Sequence, residues 1–423
     1  MASTNSVSPR GRLYRDLQWT YSESSEEDSV AELTRRQALA GAAANLMILK
    51  PGIAFGSQAN SAVSFGIIGT GGRGRYVGGH MARDPRAKLT AICDIFPDRI
   101  DLAKTQIPGV AGARTYRHHE ELLAQADIDA VLIATPVFLH PEHFEAAARA
   151  HKHIYCEKPA GSDVAGVKRM LAAAEKADPS KTVQFGFQQR FSPEYLAAER
   201  ILRDGKIGQL TAMMSYWILG DRPLTSFQST YPPDEQRIRH WGMWMDYSGG
   251  AIVEQDCHGV DVLNWFAAAH PQKAVGRGGI RYKVVYGDWN SDHHDIVYTY
   301  PKGIEGWLLS IKHTAGYRDV KEQFFGSAGV LETARTYYRW HGPVPNSPLK
   351  NADDLRDRSL IEKGESKREI TIDAVESFFT SIVEHKPYSM AATAADSTLT
   401  SLLGRLAYET RREVSWEELL QSA

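Results

Sequence analysis

Glu254 and His258, four residues apart, and the lysine of Lys158-Pro159 carry groups that could move a hydride and a proton in one step. Hydride leaves an alcohol carbon only as the hydroxyl proton is removed. Such a site needs a base near neutral pKa and a cation or donor to hold the developing alkoxide. His258 is the candidate base, since free imidazole titrates near working pH. Lys158 would hydrogen-bond the reacting oxygen. On a helix, residues four apart share a face, so Glu254 would bind substrate hydroxyls or orient the imidazole, and Asp261 follows His258 at three. Taken singly, each residue also has a plainer role: a solvated surface lysine, and a satisfied core histidine.

The elements that must position these groups begin at residue 62. Val63-Ser64-Phe65-Gly66-Ile67-Ile68 is a short apolar run suited to a buried parallel strand. It leads directly into Gly69-Thr70-Gly71-Gly72-Arg73-Gly74, with a helix expected from Arg75 to Arg83. In that setting Gly69 permits the tight turn, Gly71 lets backbone amides approach a pyrophosphate, and Gly74 lets helix and strand pack closely. A second strand, 87–93, ends at Asp94, whose carboxylate would accept from ribose hydroxyls and repel a 2′-phosphate, favouring NAD over NADP. Arg73 and Arg75 are the residues that could instead serve a phosphate.

Strand–helix alternation continues: helix 98–106, strand 128–134, helix 140–150, strand 152–156 and helix 164–177. This predicts an α/β chain with a Rossmann-type doubly wound parallel sheet, whose ligands bind at the carboxyl ends of the strands. Thr135-Pro136, Glu157-Lys158-Pro159 and the glycine loop all fall at those ends, with His140 opening the next helix. The expected cofactor contacts are therefore Gly69, Gly71, Gly72, Arg73, Gly74, Asp94, Thr135, Pro136, His140, Glu157 and Lys158.

Three features in this order, the glycine loop, Glu157-Lys158-Pro159 after a strand, and the run from Gly249 to Asp261, carry a resemblance. The chain resembles the Gfo/Idh/MocA oxidoreductase family over residues 62–423, with support from Gly186-Phe187-Gln188-Gln189-Arg190-Phe191, Gly326-Ser327-Ala328-Gly329 and Val414-Ser415-Trp416. The resemblance implies a Rossmann domain, 62–187, and an α+β domain, 188–423, with a large, mostly antiparallel sheet that serves substrate binding and oligomerisation as a homodimer or homotetramer. It also implies NAD(P)-linked chemistry at a carbinol carbon of a sugar, glycoside or polyol. The family lysine of the EKP motif falls on Lys158. Two positions depart from the family pattern: Glu254 where Asp is more usual, and Asp256 where glycine is common.

Weaker candidates remain. Asp292-His293-His294-Asp295 has metal-ligand residue types, but neighbours on a strand point to opposite faces, so no metal site is expected and His293 is placed with Arg190 and Asp261 at the substrate. His118-His119 reads as a cap or surface pair. Trp217, Trp241, Trp244 and Tyr247 could stack on a sugar ring, and Cys257 reads as packing.

Composition excludes other classes. With 49 Lys+Arg against 51 Asp+Glu, the net charge of −2 argues against nucleic acid and fits neutral polyhydroxylated substrates. Three cysteines are too few for a disulfide framework, and no apolar run approaches the length of a membrane span. Residues 1–61 read as a leader: a serine-rich, acidic start, then Arg35-Arg36, a mild apolar run from Ala38 to Leu49 and a small-residue exit, resembling a twin-arginine export signal. Periplasmic location is expected, with the cytoplasm as alternative. Three functions stay open: a dehydrogenase that exchanges NAD each turnover; a redox-neutral glycoside hydrolase or sugar–sugar oxidoreductase that retains it; and a non-catalytic sugar or nucleotide sensor, which an intact Lys158/His258 pair disfavours.

Overall fold

The computed structural model describes residues 62–219, 231–281, 287–288, 291–312, 314, 316–344, 356 and 358–422. The leader read at 1–61 lies outside the described residues. From residue 62 the chain forms β1 (Val63–Ile68), α1 (Gly72–Met81), β2 (Ala87–Cys93), α2 (Pro97–Gln106), β3 (Arg114–Tyr116), α3 (His119–Leu123), β4 (Ala130–Ile133), α4 (His140–Arg149), β5 (His153–Cys156), α5 (Val164–Ala174) and β6 (Val183–Phe185). The six strands run parallel in the order β3-β2-β1-β4-β5-β6. The order reverses between β1 and β4, where a doubly wound sheet opens its ligand crevice.

The chain continues through α6 (Pro193–Arg203), β7 (Leu210–Ile218), α7 (Pro233–Arg239), α8 (Met245–Ser248), a π-helical turn (Ile252–Asp256) and α9 (Cys257–Ala267). Then come β8 (Lys273–Gly279), β9 (His293–Thr299), β10 (Glu305–Ile311), β11 (Asp319–Gly326), β12 (Gly329–Ala334), β13 (Tyr337–His341), β14 (Leu360–Glu365), α10 (Ile370–Val383), α11 (Ala391–Thr410), β15 (Val414–Ser415) and α12 (Trp416–Gln421). The second sheet is nine-stranded, β14-β13-β12-β11-β7-β10-β9-β8-β15, antiparallel except for the β7–β10 pair. Its strands alternate: Met213, Phe324, Leu308, Ile296 and Ala274 are buried in the core shared with α9 and α11, while Met214, Val297, Trp307 and Val275 lie on the other face.

Helix α10 returns to the Rossmann sheet. Phe378 and Phe379 pack with Phe65, Ile67 and Tyr155 in a core on that sheet's face. The C-terminal part of the chain thus completes the nucleotide-binding layer.

Two local departures from the sequence expectations concern the site. Helix α1 starts at Gly72, not Arg75, so the last glycines of the loop belong to its first turn. Before α9 the backbone widens into a π turn, and both Glu254 and His258 still reach one cleft.

Candidate active site

The glycine loop is built as its chemistry requires. Gly69 has φ +91° with Ala134 backbone 2.8 Å from where a Cβ would stand, so only glycine fits. A Cβ on Gly74 would fall 1.9 Å from the Gly69 carbonyl, which explains how tightly α1 is set against the turn. Gly71 and Gly72 meet nothing within 4 Å and line an open cleft. Asp94 tethers the loop: Oδ2 accepts from the Thr70 amide at 2.8 Å and the Thr70 hydroxyl at 3.1 Å, and Oδ1 accepts from the Phe96 amide at 3.0 Å.

This cleft runs from Gly69, Gly71 and Gly72 past Asp94 to Pro136 and His119. The residues present fit a dinucleotide: backbone amides at a helix N-terminus for the pyrophosphate and a carboxylate beside the ribose position. Arg73 and Arg75 are committed elsewhere. Arg73 donates to Glu157 at 2.9 Å and Gln188 at 3.2 Å, and Arg75 to Gln106 at 2.8 Å and the Thr70 carbonyl at 2.7 Å. Both guanidinium groups thus already have protein acceptors, which agrees with NAD.

A second cleft adjoins the first, sharing Ala134, Thr135 and Trp241. Arg73, His140, Glu157, Lys158, Glu254 and His258 line it, so β4, β5, the π turn and α9 converge on one space. The Lys158-Pro159 bond is cis. The Lys158 ammonium donates to the Glu254 carbonyl and stands 3.5 Å from the Glu254 carboxylate. His258 lies flat against Trp217, ring centroids 5.6 Å apart and 11° between planes, with Phe187 edge-on at 6.2 Å. Its Nδ1 is buried without a hydrogen-bond partner among the described residues. Burial, followed by the neighbouring Lys158, Arg335 and Arg73 charges, holds the imidazole well below its ordinary pKa. The imidazole is therefore neutral, in place of the near-neutral titration expected from the free side chain.

His140 sits fully buried between two carbonyls, Nδ1 2.7 Å from Pro159 O and Nε2 3.0 Å from Thr135 O, joining the two turns that carry cofactor-side residues. Thr135 Oγ1 also bonds His143 at 3.0 Å.

Three expected substrate contacts are not brought to the cleft. Arg190 and Asp261 pair with each other in a bidentate bridge, 2.8 and 2.9 Å at its shortest, and Ser397 donates to Asp261 at 2.7 Å. Three residues beyond His258 on an α-helix is about 60° off its face, and that flank meets Arg190. His293 faces out of the sheet and contacts Asp292 at 2.6 Å, while His294 points inward to Asp256 at 2.6 Å; the strand alternation separates them. Asp256 in turn receives Lys312, so the acidic residue at a position where the family commonly has glycine is neutralised inside the core. Cys257 is buried packing, its thiol pushed up to about 12 by burial. Of the four aromatic candidates, Trp217 and Trp241 line the cleft, while Trp244 and Tyr247 stack on Arg237 at 4.6 and 4.9 Å. Among the described residues, the one group with metal-ligand convergence is His119, Glu142 and His143, beside the cofactor cleft.

Two contributors were not foreseen. Arg335, in the β12–β13 connection, enters the second cleft, and Arg239 on α7 lines the first. Arg239 bonds Asp98 at 2.8 and 3.0 Å and lies 3.8 Å over the Phe96 ring, so α7 spans the cofactor cleft. Neither belongs to a local motif; each arrives from a distant part of the chain.

A Rossmann crevice fitted to a dinucleotide, adjoining a lysine–histidine–glutamate cleft, defines an NAD-dependent oxidoreductase. Residues 63–187 match the profile of an oxidoreductase family described as having an NAD-binding Rossmann fold. This stretch matches the NAD-binding domain of the Gfo/Idh/MocA oxidoreductase family. The chain is 27% identical over 271 residues to inositol 2-dehydrogenase of Rhizobium meliloti (strain 1021), covering 64% of this chain and 74% of that protein. Against myo-inositol 2-dehydrogenase of Thermotoga maritima it is 25% identical over 366 residues, covering 84% and 99%. Among solved structures, a levoglucosan dehydrogenase in complex with NADH and L-sorbose shares the fold at TM-score 0.69 and 17% identity, covering 85% of this chain and 100% of that one. The scyllo-inositol dehydrogenase of Lactobacillus casei with bound NAD(H) and scyllo-inositol does so at 0.65 and 22%, covering 84% and 99%.

Proposed function

We propose that the chain oxidises or reduces a carbinol carbon of a sugar, glycoside or polyol. The convergence of Lys158, His258 and Glu254 on one cleft adjoining the dinucleotide crevice carries this reading. NAD, when bound, supplies the hydride acceptor or donor. His258, held neutral, takes the hydroxyl proton as the carbon is oxidised and returns it in the reverse direction. Lys158, positioned by Glu254, donates a hydrogen bond to the reacting oxygen and stabilises developing negative charge. Trp241, only partly buried, supplies an apolar face for a sugar ring. The inositol and levoglucosan dehydrogenases among the similar proteins support a polyhydroxylated substrate.

The test is turnover of K158A and H258A variants on a panel of sugars and glycosides. Losing one proton-handling group should lower kcat by roughly 10²–10⁴-fold. Undiminished turnover in both variants refutes the assignment.

One observation favours a second reading, in which the cofactor stays bound and the reaction is redox-neutral. Helix α7 crosses the adenosine side and is tied to α2 through Arg239 and Asp98. The twin-arginine-like leader supports the same reading, because a protein exported already folded would take its cofactor along. Turnover of glycosides by dialysed protein without net NADH supports retention, and net NADH from a free sugar refutes it. The outward apolar row Met214, Trp307, Val297 and Val275 across the large sheet supports self-association. Sedimentation of a single monomer species at micromolar concentration would refute that.

A further inference from the structure

The charged side chains of the catalytic cleft do not balance. Arg73 is matched by Glu157 at 2.9 Å and Lys158 by Glu254 at 3.5 Å. Arg335 lines the same space with neither an ion pair nor a hydrogen bond among the described residues, and its Nε is shielded from solvent without a partner. Among the described residues its aromatic contact is the Trp217 ring, 5.9 Å from the guanidinium carbon, the same ring that stacks on His258. The carboxylates whose charge it senses are engaged elsewhere. Glu322 accepts from Tyr195 and Thr333, and Glu369 from Thr371. Holding a guanidinium partly out of water with no counter-ion is unfavourable, and a planar fork of donors is suited to an oxyanion.

The dinucleotide's own phosphates belong at the glycine loop, in the cleft that Gly71, Gly72 and Asp94 line and Arg335 does not. The missing anion is then on the other reactant. We infer that the substrate is an acidic carbohydrate whose oxyanion, a carboxylate or a sulfate or phosphate ester, docks on Arg335 beside the carbon presented to His258. This rests on reading the cleft as a carbohydrate site, and it departs from the neutral substrate that the overall charge suggested. Arg335 is here a specificity residue, and Lys158 and His258 keep their roles.

The experiment compares matched pairs on the NAD-loaded full chain: a hexuronate, a hexose 6-phosphate and a hexose 6-sulfate, each against its neutral hexose. Nicotinamide reduction is the readout. The preferred acid should exceed its neutral counterpart in kcat/KM by about tenfold or more, the scale of one charge-assisted hydrogen bond. R335Q should lower that acid-to-neutral ratio roughly 10–100-fold. R335K, which keeps the charge but not the fork, should restore part of it, which separates a lost contact from a misfolded variant. Which acid wins identifies the oxyanion. Equal or better turnover of the neutral partners, or a ratio unchanged in R335Q, overturns the proposal. If nothing in the panel turns over, calorimetric titration of the same pairs into the NAD-bound protein decides. Neutral sugars binding as tightly as acids overturn the role of Arg335 alone; absence of binding by every carbohydrate overturns the carbohydrate reading and this inference together.

Discussion

Glu322 offers a quantitative test of how the second sheet is held together. It lies on β11, fully buried, with Oε2 accepting from Tyr195 at 2.8 Å and Thr333 at 3.0 Å and Oε1 without a partner among the described residues. Ser215, directly across on β7, has a buried hydroxyl that also lacks a partner. Burial pushes the Glu322 carboxyl from 4.5 up to about 7, against the opposing hydrogen bonds from Tyr195 and Thr333. With the folded value above the unfolded one, the group costs nothing when protonated in both states. It costs most when the folded chain must ionise it, so stability falls as pH rises from 4.5 through 7. The gap from 4.5 to 7, at about 1.36 kcal/mol per pH unit, is worth about 3 kcal/mol. The isosteric E322Q cannot ionise, and its amide can donate toward Ser215. Its stability relative to wild type should therefore rise by about 2.5 kcal/mol between pH 5 and pH 9. Urea denaturation followed by tryptophan fluorescence at several pH values measures this. A stability difference that is flat with pH, or that grows toward acid, would show that Glu322 is ionised in the fold without penalty.

Other consequences follow from the same geometry. G74A places a methyl against the Gly69 carbonyl and should weaken NADH binding, measured by fluorescence titration, by roughly 10–100-fold, the scale of an overpacked contact; unchanged affinity would mean the loop can relax. R239A removes the tie between α7 and α2 and should speed NADH dissociation in stopped flow by about tenfold; an unchanged rate would show that α7 does not gate the cofactor. Because the folded protein holds His258 well below its ordinary pKa, the base stays unprotonated as pH drops through 6.5. The acid limb of kcat/KM should accordingly contain no inflection near 6.5 from this residue, and an H258-dependent inflection there would contradict the burial argument.

Much of the site was legible because it is local. Gly69 to Gly74 sit on one turn, Glu157 and Lys158 are adjacent, and Glu254 and His258 are one helical turn apart, so spacing alone put each set on a common surface. Arg190, Asp261 and His293 were placed at the substrate from their types and neighbourhood. Their partners, each other for the first two and Asp292 for the third, depend on helix rotation and strand facing.

The amino-acid order by itself determined the parallel nucleotide-binding sheet and the glycine turn, and it singled out Lys158 and His258 as candidates, since backbone sterics and strand–helix periodicity act over a few residues. Only the tertiary structure decided the rest. It decided that Arg335 reaches the cleft of Lys158 and His258 from a hairpin nearly 80 residues beyond His258, that Asp256 is neutralised by Lys312 and His294, and that the His258 imidazole is buried and neutral. Those facts depend on which charges share a low-dielectric space, and the sequence does not encode that at any fixed spacing.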